Sequence, residues 1–178
     1  MRVNLCYPRI NSILDGYADV LGADGVGYRN HVYRAVNFYA ALSGHEDVPE
    51  SVLIAAAFHD IGIWTARTFD YLAPSASEAR AYLSAADLDR LTAEACALIE
   101  HHHKLRPYHD AFAQRVETYR RADLVDLSLG VIRFGLPRSF VTEVKSHFPN
   151  AGFHRRLLQL TARQILREPL RPLPMIRW

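Results

Sequence analysis

The stretch from Val52 to Gly62 constrains this chain more than any other. Seven successive apolar residues, Val52-Leu53-Ile54-Ala55-Ala56-Ala57-Phe58, run directly into His59-Asp60 before Ile61-Gly62. Leu and Ala favour helix, and Pro49 suits a helix start, so the segment predicts a very apolar helix with Gly62 able to release the chain at its end. A helix apolar on every side is a buried one. It therefore carries two ionisable side chains toward an interior, where an unpaired charge costs several kcal/mol or more. Whatever fold the chain adopts must supply partners for both.

The helical period dominates the remainder, and strand-like alternation is almost absent. Ile10, Ile13, Leu14, Tyr17, Ala18 and Leu21 recur at three- and four-residue steps and predict a first amphipathic helix, ended by a glycine-rich loop over 22–27. A second helix is expected from about Tyr28 to Ser43, stopped by Gly44, and a third from Pro49 to the His59-Asp60 pair. Residues 64–74 read as a loop with a short turn of helix, after which Ser75 or Ser77 is the expected cap of a helix carrying Ala79, Tyr82 and Leu83. A longer helix is expected from about Asp87 to Leu105, ended by Pro107. Three more follow, at about Ala111 to Gly130, Pro137 to His147 and Ala151 to Arg167, before a proline-rich tail expected to be extended. No repeat and no linker divides the chain. The expectation is a single all-α domain over residues 1–178, built as a helical bundle.

Composition narrows the function classes. A length of 178 residues fits one domain with a sizeable core, and 49% hydrophobic with 22% charged residues is the balance of a soluble globular protein. A formal charge of +2 gives no case for a nucleic-acid polymer or a membrane surface as partner. There is no basic leader followed by an apolar run and no stretch of membrane-spanning length. Cys6 and Cys96 are far apart and form no CxxC pair, which argues for a reducing compartment and against a thiolate zinc site. A cytoplasmic location is expected.

Two further side chains belong with the His59-Asp60 pair. His31 shares a helix face with Ala35, Tyr39 and Leu42, and Asp123 stands four residues from both Tyr119 and Leu127, so both point inward. An inward Asp is rare unless paired. His59 and Asp60 differ by about 100° in direction and can flank one ion from a single turn. Two imidazoles and two carboxylates make a donor set suited to one divalent Mn, Fe, Co, Ni or Zn, with positions left for water and substrate. A single inward His is more often a hydrogen-bonded core residue, and an adjacent His-Asp often arises by chance. The combination is the specific signal.

The order His…His-Asp…Asp on a helical chain resembles the HD-domain superfamily of metal-dependent phosphohydrolases. The similar segments are Tyr28-Arg29-Asn30-His31-Val32-Tyr33-Arg34, Ala57-Phe58-His59-Asp60-Ile61-Gly62 and Ala122-Asp123, spanning about residues 28–127, with the helices and tail of 137–178 outside them. The resemblance implies that His31, His59, Asp60 and Asp123 bind one divalent metal, and it says nothing of the substrate. In members with two metals, two further histidines between the His-Asp pair and the last Asp complete a second site. Here His101 or His102 could serve as the later one. The segment 74–83, where the earlier would fall, has serines and Glu78 but no histidine. One metal is therefore expected, with His101 or His102 bonding substrate or a water, Glu78 as a minor alternative ligand, and His103 facing solvent.

The expected chemistry is phosphoryl transfer to a metal-activated water, with cationic side chains stabilising the phosphoryl oxygens. Lys104, Arg106, Arg34 and Arg67 are candidates for that charge. Asp70, His102 and Asp126 are candidates for a general base, Asp126 reading more readily as a structural helix charge. The function expected is hydrolysis of a small-molecule phosphate ester, a nucleotide being one option. The rivals are another reaction on the same fold (hydration, or an iron-dependent oxygenation) and a non-catalytic binding module that keeps the metal for structure. Trp178, Leu173, Met175 and Ile176 are candidates for a homodimer contact or for packing on their own domain.

Overall fold

The computed structural model describes residues 1–176, and among them every regular element is helical. Pro8, at the first helical position, opens α1 (Pro8–Gly16), and a single turn, α2 (Ala18–Leu21), follows. Then come α3 (Gly25–Ser43), α4 (Glu50–Phe58), α5 (Gly62–Thr65) and α6 (Leu72–Ala85). The remaining helices are α7 (Thr92–His101), α8 (Ala113–Leu127), α9 (Arg138–His147) and α10 (Phe153–Arg167). The chain is all-α. No helix among the described residues is long and apolar enough to cross a membrane.

The apolar run becomes α4, enclosed by α1, α3, α6 and α7, with Val52 and Ile54 through Phe58 inaccessible to solvent. Its enclosure on all sides is why it carries no polar face. The long α3 packs along α8, which sets His31 opposite Asp123. Gly44, in the left-handed conformation with φ +75°, stops α3 as expected.

Several boundaries differ from the sequence reading, each for a local reason. Residues 22–27 are not an open loop: a 3-10 turn over Gly22–Asp24 leads straight into α3 at Gly25. Gly27 serves packing instead, because a Cβ there would stand 3.0 Å from the Ala151 carbonyl oxygen. Helix α6 begins at Leu72, before either serine, and holds Pro74 in its first turn, where no intrahelical donor is lost. Ser75 does not cap it; its Oγ accepts the Gly62 N–H at 2.9 Å. The expected helix over 87–105 is interrupted early by Asp87 at φ +55° and ends at His101, where the chain turns. Helix α8 starts at Ala113 after Phe112 at φ +67° and stops at Leu127, with the Gly130 N–H folding back onto the Val125 carbonyl. The tail is a series of turns that buries Met175; Trp178 lies outside the described residues.

Candidate metal centre

Three elements meet at one buried point. His31 comes from the middle of α3, His59-Asp60 from the turn that ends α4, and Asp123 from α8. All four side chains are at most 4% exposed. Tyr28, one turn before His31, clamps the end of α4: its hydroxyl donates to the Ala57 carbonyl at 3.0 Å and accepts the Asp60 N–H at 3.3 Å. Phe153, the first residue of α10, stacks on the His31 ring at 4.1 Å between centroids and closes the far side.

The donor atoms converge. His31 Nε2 and His59 Nε2 are 2.9 Å apart, His59 Nε2 lies 3.4 Å from Asp60 Oδ2, and His31 Nε2 lies 3.4 Å from Asp123 Oδ1. Two further edges are 3.8 Å from His31 Nε2 to Asp60 Oδ2 and 3.9 Å from His59 Nε2 to Asp123 Oδ1. Donors about 2.1 Å from a common ion stand about 3.0 Å apart at octahedral edges and about 3.4 Å at tetrahedral ones. The ligating atoms of His31, His59 and Asp60 all lie within 4.8 Å of one another, a spacing able to hold a cation, and Asp123 Oδ1 borders the two imidazoles.

The outer hydrogen bonds fix which ring nitrogen faces that point. His59 Nδ1 donates to the Ala56 carbonyl at 2.7 Å, and His31 Nδ1 donates to Asp126 Oδ2 at 2.7 Å. Each neutral ring then presents an Nε2 lone pair inward, the arrangement second-shell partners impose on metal-binding histidines. Two lone pairs at 2.9 Å repel unless a proton or a cation lies between them. A proton would serve only the two rings and would leave Asp123 Oδ1 buried without a hydrogen-bond partner; Asp60 Oδ1, also without one, faces His102 Nε2 at 3.5 Å on the other side. A metal ion beside the two rings can also take Asp60 Oδ2 and Asp123 Oδ1, and buried polar groups are rarely left unanswered.

The electrostatics agree. Burial drives the His59 pKa down to about 3, so the ring is a neutral donor. Burial also acts to raise the Asp60 carboxyl, but His59, His102 and His31 around it prevail and hold it below the usual carboxylate range. Asp123 lacks an equivalent counter-charge, and burial pushes it up to about 6. Asp126, although buried, is held well below the ordinary range by its bonds to His31 and Arg34.

A second donor set shares Asp60. His102 and His103 lie with Asp60 in a group whose ligating atoms are all within 4.8 Å of one another. His102 Nε2 stands 3.5 Å from Asp60 Oδ1, its ring held by an Nδ1 bond to the Ile99 carbonyl at 2.7 Å. His103 Nε2 pairs with the Tyr71 hydroxyl at 2.7 Å, and His103 Nδ1 is 3.8 Å from Asp123 Oδ2. The expectation that His103 faces solvent is therefore corrected: its side chain is 17% exposed and belongs to the cluster. The cause is the early end of α7, which places His102 and His103 on a turn that swings both toward Tyr71. Nothing in the sequence marks a stop at His101, since Pro107 bars only its immediate predecessor from helix.

The other candidates separate cleanly. Of His101 and His102, only His102 reaches the centre; the His101 ring lies against Tyr108 at 4.6 Å. Lys104 lines the cavity above the centre, with its ammonium 5.8 Å from the Tyr108 ring. Asp70 is not brought in: it is about half exposed, pairs with Arg171 at 3.3 Å, and lines a different cavity together with Arg67. Arg34 is no phosphate ligand, being 2% exposed and committed to Asp126 and to the Phe148 and Pro149 carbonyls. Arg106 is exposed. Glu78 accepts the Tyr17 hydroxyl at 2.8 Å on another face of α6, so it is not the substitute ligand. Asp126 acts through His31 rather than at the centre itself.

A cavity of about 460 Å³ opens onto Asp60, His102, His103 and Asp123. Compared with known proteins, the chain matches no family model, no curated protein and no solved structure. Its own geometry defines the centre. Buried His and Asp groups here can coordinate a metal ion.

Proposed function

We propose that this protein is a metal-dependent phosphohydrolase of the HD type, cleaving a small phosphate monoester with water. The observation that carries the reading is the convergence of two lone-pair-bearing imidazoles and two carboxylates, with both carboxylates lining an open cavity. A divalent metal held by His31, His59, Asp60 and Asp123 supplies Lewis acidity toward a phosphoryl oxygen and lowers the pKa of water.

The chain's own residues do the rest. Asp126 and the Ala56 carbonyl hold the two rings in the donor tautomer. His102 lies at the cavity floor with its proton affinity raised: burial opposes this, but Asp60 and Asp123 outweigh it. It therefore holds a proton at Nε2 for the leaving oxygen or takes one from water. Lys104 meets the phosphoryl charge at the rim. In the net reaction a P–O bond to water forms, the P–O bond to the alcohol breaks, and a proton from water ends on the alcohol oxygen. The Asp60-His102-His103 set favours a second reading in which two cations share Asp60, and the metal stoichiometry distinguishes the two.

The test is metal analysis of the purified protein combined with phosphate release from a panel of monoesters under Mn²⁺, Co²⁺, Ni²⁺, Zn²⁺ and Fe²⁺. Phosphate release abolished by His59→Ala in a folded variant is the expected result. Bound metal with no phosphate released from any ester overturns the reading, and oxygen consumption by an iron-loaded sample replaces it with an oxidative one.

A further inference from the structure

The cavity over the centre has walls that do not suit a nucleotide. Leu124 and Leu127 from α8, Leu157 from α10, Met175 and Ile176 from the tail, and Phe69 from the α5–α6 loop make its sides. Of the hydroxyls lining it away from the metal donors, Tyr71 is already bonded to His103, and Thr161 donates to the Leu157 carbonyl at 2.9 Å, which leaves it only acceptor capacity for a ligand. Reading a base needs several fixed donors and acceptors, and one threonine cannot supply that pattern.

Its cations are equally few. Arg120 is held by both oxygens of Glu117, at 3.1 and 2.6 Å, which cancels its charge locally. Among the described residues, Lys104 is then the one cation lining the cavity without a carboxylate partner. One lysine beside a metal matches a single phosphoryl group. A di- or triphosphate would bring several further negative charges against apolar walls, where unpaired charge is costly.

We infer that the substrate is a phosphate monoester whose alcohol part is an apolar alkyl or aryl group, seated between α8, α10 and the tail. The inference rests on the hydrolase reading for its chemistry and on the cavity walls for its specificity. Water attacks phosphorus, the bond from phosphorus to the ester oxygen breaks, and an apolar alcohol and inorganic phosphate leave, the proton passing to the alcohol.

Ethyl, butyl and hexyl phosphate have leaving groups of similar basicity and differ in apolar area alone. With the full-length Mn²⁺-loaded protein, kcat/KM is expected to rise with chain length, by about fourfold per methylene at full burial, and to exceed that for adenosine monophosphate. Leu127→Asp and, separately, Leu157→Asp should shrink the hexyl-to-ethyl ratio at least tenfold. Calorimetric binding of ethyl- and hexylphosphonate, which cannot be hydrolysed, gives a readout free of turnover. Phosphate release with a flat series, or with adenosine monophosphate preferred, overturns the inference and leaves the hydrolase standing. No release from any ester, with hexylphosphonate still bound more tightly than ethyl, overturns the hydrolase and keeps the apolar pocket. Neither release nor chain-length-dependent binding overturns both.

Discussion

Asp126→Asn separates the two jobs assigned to that residue. The carboxylate accepts from His31 Nδ1 at 2.7 Å and from Arg34 Nη2 at 2.8 Å through Oδ2, while Oδ1 takes Arg34 Nε. An asparagine has one oxygen for these donors. Arg34 is permanently charged and 2% exposed, so it claims the oxygen and turns the amide NH₂ toward His31. His31 must then accept at Nδ1, which moves its proton to Nε2 and removes the lone pair that faces the metal. Loss of such a second-shell partner weakens metal binding by about 10- to 100-fold.

Stability falls for a different reason. Removing one partner of a buried ion pair costs about 3–5 kcal/mol. The Phe148 and Pro149 carbonyls still accept from Arg34, which points to the lower end, about 3 kcal/mol. For a chain of this size that is a fall in Tm of about 6–12 °C. Thermal unfolding of the metal-free protein and chelator-competition titration measure the two effects separately. Adding Arg34→Met should recover part of the stability but none of the metal affinity. A folded Asp126→Asn protein with undiminished metal affinity refutes the tautomer argument, and one with undiminished stability refutes the ion-pair argument.

Three further outcomes follow from the same geometry. His102→Ala should lower kcat at least a hundredfold while His101→Ala, whose ring lies against Tyr108, changes it less than twofold in a phosphate-release assay. Gly62→Ala should destabilise the fold by about 1–3 kcal/mol in urea unfolding, because its Cβ would stand 2.6 Å from the Tyr71 carbonyl oxygen and 2.9 Å from the Ser75 nitrogen. With Asp123 raised by burial from 3.8 to about 6, the metal-free fold binds a proton that the unfolded chain has already released. Its contribution to stability is therefore present below about pH 4 and lost as pH rises through about 6. Metal must displace that proton, so affinity from chelator competition should climb toward about pH 6 and rise less steeply above it.

What the sequence made legible is what helical period and burial cost encode. The apolar run to Phe58 could only be an interior helix, and α4 is enclosed on every side. The inward faces of α3 and α8 place His31 and Asp123 because three- and four-residue steps report direction directly. Boundaries set by local backbone chemistry were less visible. Ser75 looks like a cap and is instead a partner for the Gly62 N–H, a contact made only once α5 and α6 have met. Gly62 looks like a helix stop and is instead a close approach between backbones, with a conformation open to any residue and space for none but glycine.

The triple histidine shows why the remainder was hidden. On a continuous helix, residues 101, 102 and 103 would fan over about 200°, so that at most one or two of them could reach one site and His103 would face solvent. Ending the helix at His101 abolishes that relation: His101 stays on the helix face against Tyr108, while His102 and His103 enter the turn with ring centroids 3.9 Å apart. Helical periodicity therefore put His103 in solvent through a premise about one boundary, and not through any misjudged preference of histidine itself. The same turn brings Lys104 to the cavity rim. The position of one helix end thus decides three of the side chains over the metal donors, which makes that turn the place where changes of sequence should alter the chemistry of the centre with least effect on the fold around it.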